Sequence, residues 1–430
     1  MGAASDQEAH QRLFSAPIPQ RVGDFLQRRQ DIVRRVQWIC AAIYLIFLLA
    51  PVFMLLPAIG GSIVTHISLI ATAIFWGLLW PGMILATLLF GQFWCGLLCP
   101  DGMMTEVISR NGRAGKIPLS LRWAGWPLLA FSIITVTGHV LDAPRSPAAT
   151  LALLGGGSLA AWATGYFLGR GKRIWCRYLC PAGSMFSLLA RGAIFHYRVD
   201  RATWDAVPRP LPRPVDCPQL LDVRRLRSNG KCNMCGRCSS HHNAVALALG
   251  FPGQEIAALR EEEANLWEAF AICFVLIGLG YGVAYGQASV LGNCLQALSG
   301  NGLPTRVATV ILTAAALGAG TATLLWLGAA GCIRRAGLLA YGLIPLAGIG
   351  LFMASLEYFN SFEGRFGVGA LAWLPRLRVP LLLAGGTWTI VIGLVMAKRL
   401  DTTPIGRIVA AISLILAASL VEAGYLIAPL

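Results

Sequence analysis

Nine apolar runs constrain this chain more than any other feature. They fall near 37–58, 64–90, 123–141, 149–168, 265–286, 305–329, 336–356, 379–397 and 405–427. About 20 apolar residues are needed to cross a bilayer as a helix. In lipid every backbone N–H and C=O must be satisfied within the protein, which leaves helices or closed barrels. Runs of this length, without period-two alternation, predict an all-α polytopic membrane protein of about nine transmembrane helices. Composition agrees: 56% of residues are hydrophobic and only 13% charged, whereas soluble domains carry about 25% charged residues. The net charge of +15 does not imply a nucleic-acid partner, because basic residues in membrane proteins collect in cytoplasmic loops.

That rule also orients the chain. With the N-terminus inside, only Arg145, Arg306, Arg365, Arg376 and Arg378 of the 35 Lys and Arg fall in outer segments. We therefore expect a bacterial inner (cytoplasmic) membrane protein with its N-terminus cytoplasmic and its C-terminus periplasmic. The opening MGAASDQEAHQRLF has no apolar core, so no cleavable signal peptide is expected. The domains read as a cytoplasmic segment (1–36), a four-helix core (37–195), a cytoplasmic loop domain (196–260) and a five-helix membrane domain (265–428). The stretch 181–195 is apolar but too short to span, and reads as an interfacial or re-entrant helix.

The four-helix core contains a duplication. Trp94-Cys95-Gly-Leu-Leu-Cys99-Pro100-Asp-Gly102 matches Trp175-Cys176-Arg-Tyr-Leu-Cys180-Pro181-Ala-Gly183. Each copy follows a span running from outside to inside, which implies a pseudo-two-fold axis along the membrane normal. If the helix continues, Cys95/Cys99 and Cys176/Cys180 are i,i+4 pairs on one face, and each proline suits the start of a new helical segment. Four thiols brought together could bind a metal, hold a cluster, or cycle between dithiol and disulfide. Small buried packing residues are the bland alternative, and duplication of the whole motif, improbable by chance, argues against it.

The loop domain carries a second set. Cys232, Cys235 and Cys238 are spaced C-x2-C-x2-C, and Cys217-Pro218 precedes them. Bacterial ferredoxin runs add a fourth cysteine followed by proline, and in two-cluster ferredoxins it ligates the other cluster. Here His242 occupies that place, and the lone Cys-Pro lies upstream. The expectation is one [4Fe–4S] cluster held by Cys217, Cys232, Cys235 and Cys238. The alternatives are a cluster with His242 as fourth ligand, a zinc site, and unliganded thiols.

Other polar residues carry weaker signals. His66 and His139 could ligate a haem, but hydrogen-bonded interfacial histidines account for them as well, and we expect no haem. Glu422 lies inside the last span, where a carboxylate is costly. Glu357 and Glu363 are expected to be solvated in an outer loop. Cys40, Cys273, Cys294 and Cys332 have no partner spacing and read as packing residues.

The W-C-x2-L-C-P-x-G repeats, followed by a ferredoxin-like loop, resemble the NapH/NosR/CcoG-like membrane ferredoxin family over about residues 37–245. The resemblance implies electron transfer linked to quinol, or electron supply to the maturation of a periplasmic metalloenzyme, such as copper reduction for an assembly pathway. Implied partners are membrane lipid, quinone and a periplasmic redox protein. Members usually carry two [4Fe–4S] clusters in the loop, whereas this loop has ligands for one. The five C-terminal spans lie outside the resemblance.

Overall fold

The computed structural model describes residues 17–54, 67–207, 215–363, 374–400 and 402–427. His66 lies outside them. The fold is overwhelmingly helical, with long apolar helices and little sheet. Seven helices among the described residues are long and apolar enough to cross a membrane: Gln30–Phe53, Ile67–Phe90, Pro147–Leu168, Leu266–Ala288, Leu303–Gly328, Pro375–Arg399 and Pro404–Ile427. Two expected spans deviate. Gly125–Val140 has 16 residues, about 24 Å at 1.5 Å per residue, which is less than the ~30 Å hydrocarbon thickness. The run at 336–356 is broken into Ile333–Tyr341 and Ile344–Glu357, bent by 54°. Pro345 follows the break, and a proline there removes a backbone donor that a continuous helix would use.

The chain divides into two compact units. One comprises Met1–Leu45, Ala86–Trp126 and Gly157–Gln254, and the other Ile46–Leu85, Pro127–Gly156 and Glu255–Leu430. In the first unit the stretch expected to be a short helix forms Pro181–Leu189. The chain then enters a strand the sequence reading did not anticipate, β1 (Phe195–Val199). It pairs antiparallel with β2 (Val245–Leu249), from Phe195 opposite Leu249 to Val199 opposite Val245. This ribbon closes the base of the cysteine loop: Tyr197, Val245 and Leu247 pack with Trp204, Val223, Cys232 and Met234 in one buried cluster. The N-terminal segment also has a structural role. Helix Pro17–Arg28 lies against the loop, where Asp24 accepts hydrogen bonds from the hydroxyls of Ser239 and Ser240.

The second unit packs its helices closely through small residues, as membrane helices do. A Cβ on Gly278 would lie 2.4 Å from the Ala314 carbonyl oxygen. Here one expectation fails. Glu357 is not a solvated loop residue. The helix Ile344–Glu363 carries it onward, so its side chain stays inside, 11% exposed, with Arg378 at 3.5 Å. The Tyr285 hydroxyl donates to the same carboxylate. Glu422 lies on Pro404–Ile427 and packs against Gly386, where any Cβ would collide with its carboxylate.

Candidate functional site

Cys217, Cys232, Cys235 and Cys238 line a single small cavity, together with Tyr197, Val215, Pro218 and Arg237. The loop turns tightly enough for this because residues between and after its cysteines adopt left-handed backbone. Met234 has φ 52° and Gly236 φ 79°. Glycine is required at 236 for space as well, since a Cβ there would lie 2.5 Å from that of Leu26. Cys217 reaches the same wall because contacts remote in sequence hold it. The Lys172 ammonium donates to the Cys217 carbonyl at 3.2 Å and pairs with Asp216. The Arg173 backbone N–H donates to the Pro218 carbonyl at 2.8 Å. On the other side, the Gln30 side-chain amide donates to the Cys235 carbonyl at 3.0 Å.

These donors suit a cluster. Among the described residues, no group of three or more His, Cys, Asp or Glu is placed to hold a metal ion, so the fit to a cluster is judged on ligand type and spacing. The four cysteines of a cubane each bind a different iron and need not converge on a point. Charge points the same way. Burial raises the Cys235 thiol. It pushes Cys238 well above the ordinary thiol range, with Cys232, Cys235 and Cys217 adding to the rise. Such a set cannot ionise fully without cations, which metal binding supplies as it displaces the protons. His242 is absent from the cavity wall. Its backbone is left-handed, φ 55°, and its ring lies 5.1 Å from Trp204 and 4.0 Å from His241.

The duplicated motif forms the same backbone twice. Short helices Phe93–Leu97 and Ile174–Tyr178 end at Leu98 (φ −122°, ψ −25°) and Leu179 (φ −125°, ψ −22°). Cys99 and Cys180 are then extended, both with ψ 119°, and cap the helices Pro100–Arg110 and Pro181–Leu189. The continuous helix expected through each cysteine pair is therefore broken. The cause is local, because a residue preceding proline is pushed out of helical backbone. The Cys99 and Cys180 amides close the turns onto the Trp94 and Trp175 carbonyls, at 2.9 and 2.8 Å.

The four thiols of the two copies sit on half-buried residues, within electrostatic range of one another. Burial, then Cys99 and Cys176, holds the Cys95 thiol well above its usual range. Burial, then Cys180 and Cys99, does the same for Cys176. Cys99 is pushed up to about 11 by burial and Asp101, against backbone N–H groups of Gly102 and Asp101 that favour its thiolate. Cys180 is raised by burial, Cys95 and Cys99, against the Gly183 N–H. Two helix N-termini thus aim donors at one cysteine from each copy, an arrangement that favours anionic sulfur.

The two cysteine sets share neighbours. A Cβ on Gly96, between Cys95 and Cys99, would lie 1.9 Å from the Asn233 carbonyl oxygen and 2.9 Å from the Cys235 nitrogen. Arg173, 1% exposed, donates to Glu106 at 3.0 Å and to the Cys95 carbonyl at 2.9 Å. Arg237, beside Cys238, donates to the other Glu106 oxygen at 2.6 Å. Burial alone would raise the Glu106 carboxyl, but Arg173 and Arg237 hold it below the usual range.

A family model described as a 4Fe-4S binding domain matches residues 72–120 and 151–199. Twice over, the chain is similar to an iron–sulfur binding domain. No curated protein and no solved structure matches it. The two matched segments contain Cys95 with Cys99 and Cys176 with Cys180, and stop short of the 217–238 loop. The sequence reading placed its cluster in that loop and gave the duplicated motif the less specific role.

The sequence reading also missed Arg173, Glu106, Lys172 and Gln92. One signal was available. Gln92 and Arg173 stand two residues before Trp94 and Trp175, and both are buried. Gln92 donates to the Gly230 carbonyl at 2.7 Å. A polar residue at the same register of both copies of a repeat marks a contact with another segment.

Proposed function

We propose that this chain is a membrane-bound iron–sulfur electron-transfer protein, exchanging single electrons between the quinone pool or a cytoplasmic donor and a periplasmic redox partner. The observation that carries this reading is the common cavity lined by Cys217, Cys232, Cys235 and Cys238. A [4Fe–4S] cluster bound there supplies one-electron storage. Lys172 and Arg173 hold the Cys217 segment in place, Gln30 fixes the Cys235 carbonyl, and the apolar wall of Tyr197, Val215 and Val223 limits water. The four cysteines of the duplicated motif form the second redox station. The likeness of residues 72–120 and 151–199 to a 4Fe-4S binding domain supports a cluster there as well.

The Lys and Arg asymmetry supports a placement of both stations toward the cytoplasm. A topology reporter fused after Arg227 should be active in the cytoplasm; periplasmic activity would reverse the orientation. Function itself is tested on the full chain purified without oxygen. Iron and sulfide should be present in equal amounts, and a reduced menaquinol or ubiquinol analogue should generate the cluster's EPR signal. Iron–sulfur signals that dithionite reduces but neither quinol reduces would remove the quinone link. Absence of iron and sulfide would remove the reading altogether.

A further inference from the structure

We propose that Arg173 and Glu106 form one buried charge bridge shared by the two cysteine sets, tuning the redox potential of both. The proposal rests on the two-station reading above. Its basis is the position of the Arg173 side chain. The guanidinium is within electrostatic range of Cys176 in one set and Cys235 in the other. It bonds the carbonyl of Cys95 at 2.9 Å, and its backbone N–H holds Pro218 at 2.8 Å. Glu106 completes the bridge, receiving Arg173 on one oxygen and Arg237 on the other.

Iron–sulfur potentials follow net charge, hydrogen bonding and solvent exposure around the cluster. A charge in bulk water is screened, but Arg173 is buried, so its field reaches further. The positive guanidinium favours the more negative, reduced state, and the Glu106 carboxylate opposes it. A purely structural staple would not need charge at all. Apolar residues of similar volume hold such positions as well or better, since a buried ion pair must repay a large desolvation penalty. The charge itself is what the two sites have in common.

The test is a redox titration followed by EPR on the full-length protein, with iron counted in each variant. Arg173→Gln should shift both signals to lower potential, and Glu106→Gln should shift both to higher potential. Arg173→Lys, which keeps the charge, should stay near wild type. Removing one partner of a buried pair can unfold a protein. Arg237→Gln therefore serves as a milder variant, its side chain being 17% exposed. It should lower the loop signal more than the other. A structural role would move the potentials in no consistent direction or move the two variants alike. Shifts of the same sign in Arg173→Gln and Glu106→Gln, or movement of only one of two signals, would overturn the bridge and leave both stations standing. A wild-type count of about four irons, where two clusters require about eight, would overturn the sharing and the two-station reading together.

Discussion

The loop draws three cysteines from one tight turn and a fourth, Cys217, from a distant Cys-Pro, whereas the duplicated motif draws two from each of two copies of one backbone. The first arrangement depends on tertiary contacts. Cys217 is held in place by Lys172 and Arg173, which lie far from it in sequence. The second depends on local rules applied twice: a short helix, a residue forced extended by the following proline, and a new helix N-terminus. One set should therefore be sensitive to remote substitutions, and the other mainly to changes within its own motif.

That contrast can be broken by substitution. The largest effect is expected from Cys95→Ser combined with Cys180→Ser, which takes one cysteine from each copy. Electron transfer should be abolished and about four irons lost, while the loop signal persists. Full activity would return these cysteines to a packing role. Gly96→Val comes next. Its Cβ would meet backbone, the Asn233 carbonyl oxygen at 1.9 Å, which cannot rotate away. Overpacking of this kind costs about 1–3 kcal/mol. Thermal unfolding monitored by cluster bleaching should fall to lower temperature, and an unchanged melt would mean that the two segments do not touch. The smallest effect belongs to Lys172→Ala. It removes one hydrogen bond to the Cys217 carbonyl, worth about 1 kcal/mol or less after allowing for the exposed Asp216 partner. The loop signal should bleach somewhat earlier on heating while the other signal holds. Equal loss from both would erase the contrast.

How much the sequence revealed follows the same division. The helical membrane fold was legible because bilayer thickness fixes run length. The C-x2-C-x2-C spacing was legible because cluster geometry fixes it, and the duplicated motif because it repeats. Three things were not legible. The helix break at Leu98 and Leu179 was hidden by the apparent i,i+4 spacing, although Pro100 and Pro181 were sufficient to signal it. The Arg173–Glu106–Arg237 contacts join residues scattered along the chain, and no local pattern announces such a network. Glu357 was read as solvated because its helix was expected to end at 356, whereas it continues to Glu363 and brings the carboxylate to Arg378.

In the proposed assignment Cys217, not His242, completes the loop's cysteine set. The most direct measurement compares iron content and EPR of the full-length Cys217→Ser and His242→Ala variants, purified without oxygen. Cys217→Ser should lose the loop cluster or yield a three-iron signal, and His242→Ala should retain the wild-type signal and iron. Loss of the cluster in His242→Ala with retention in Cys217→Ser would contradict the assignment.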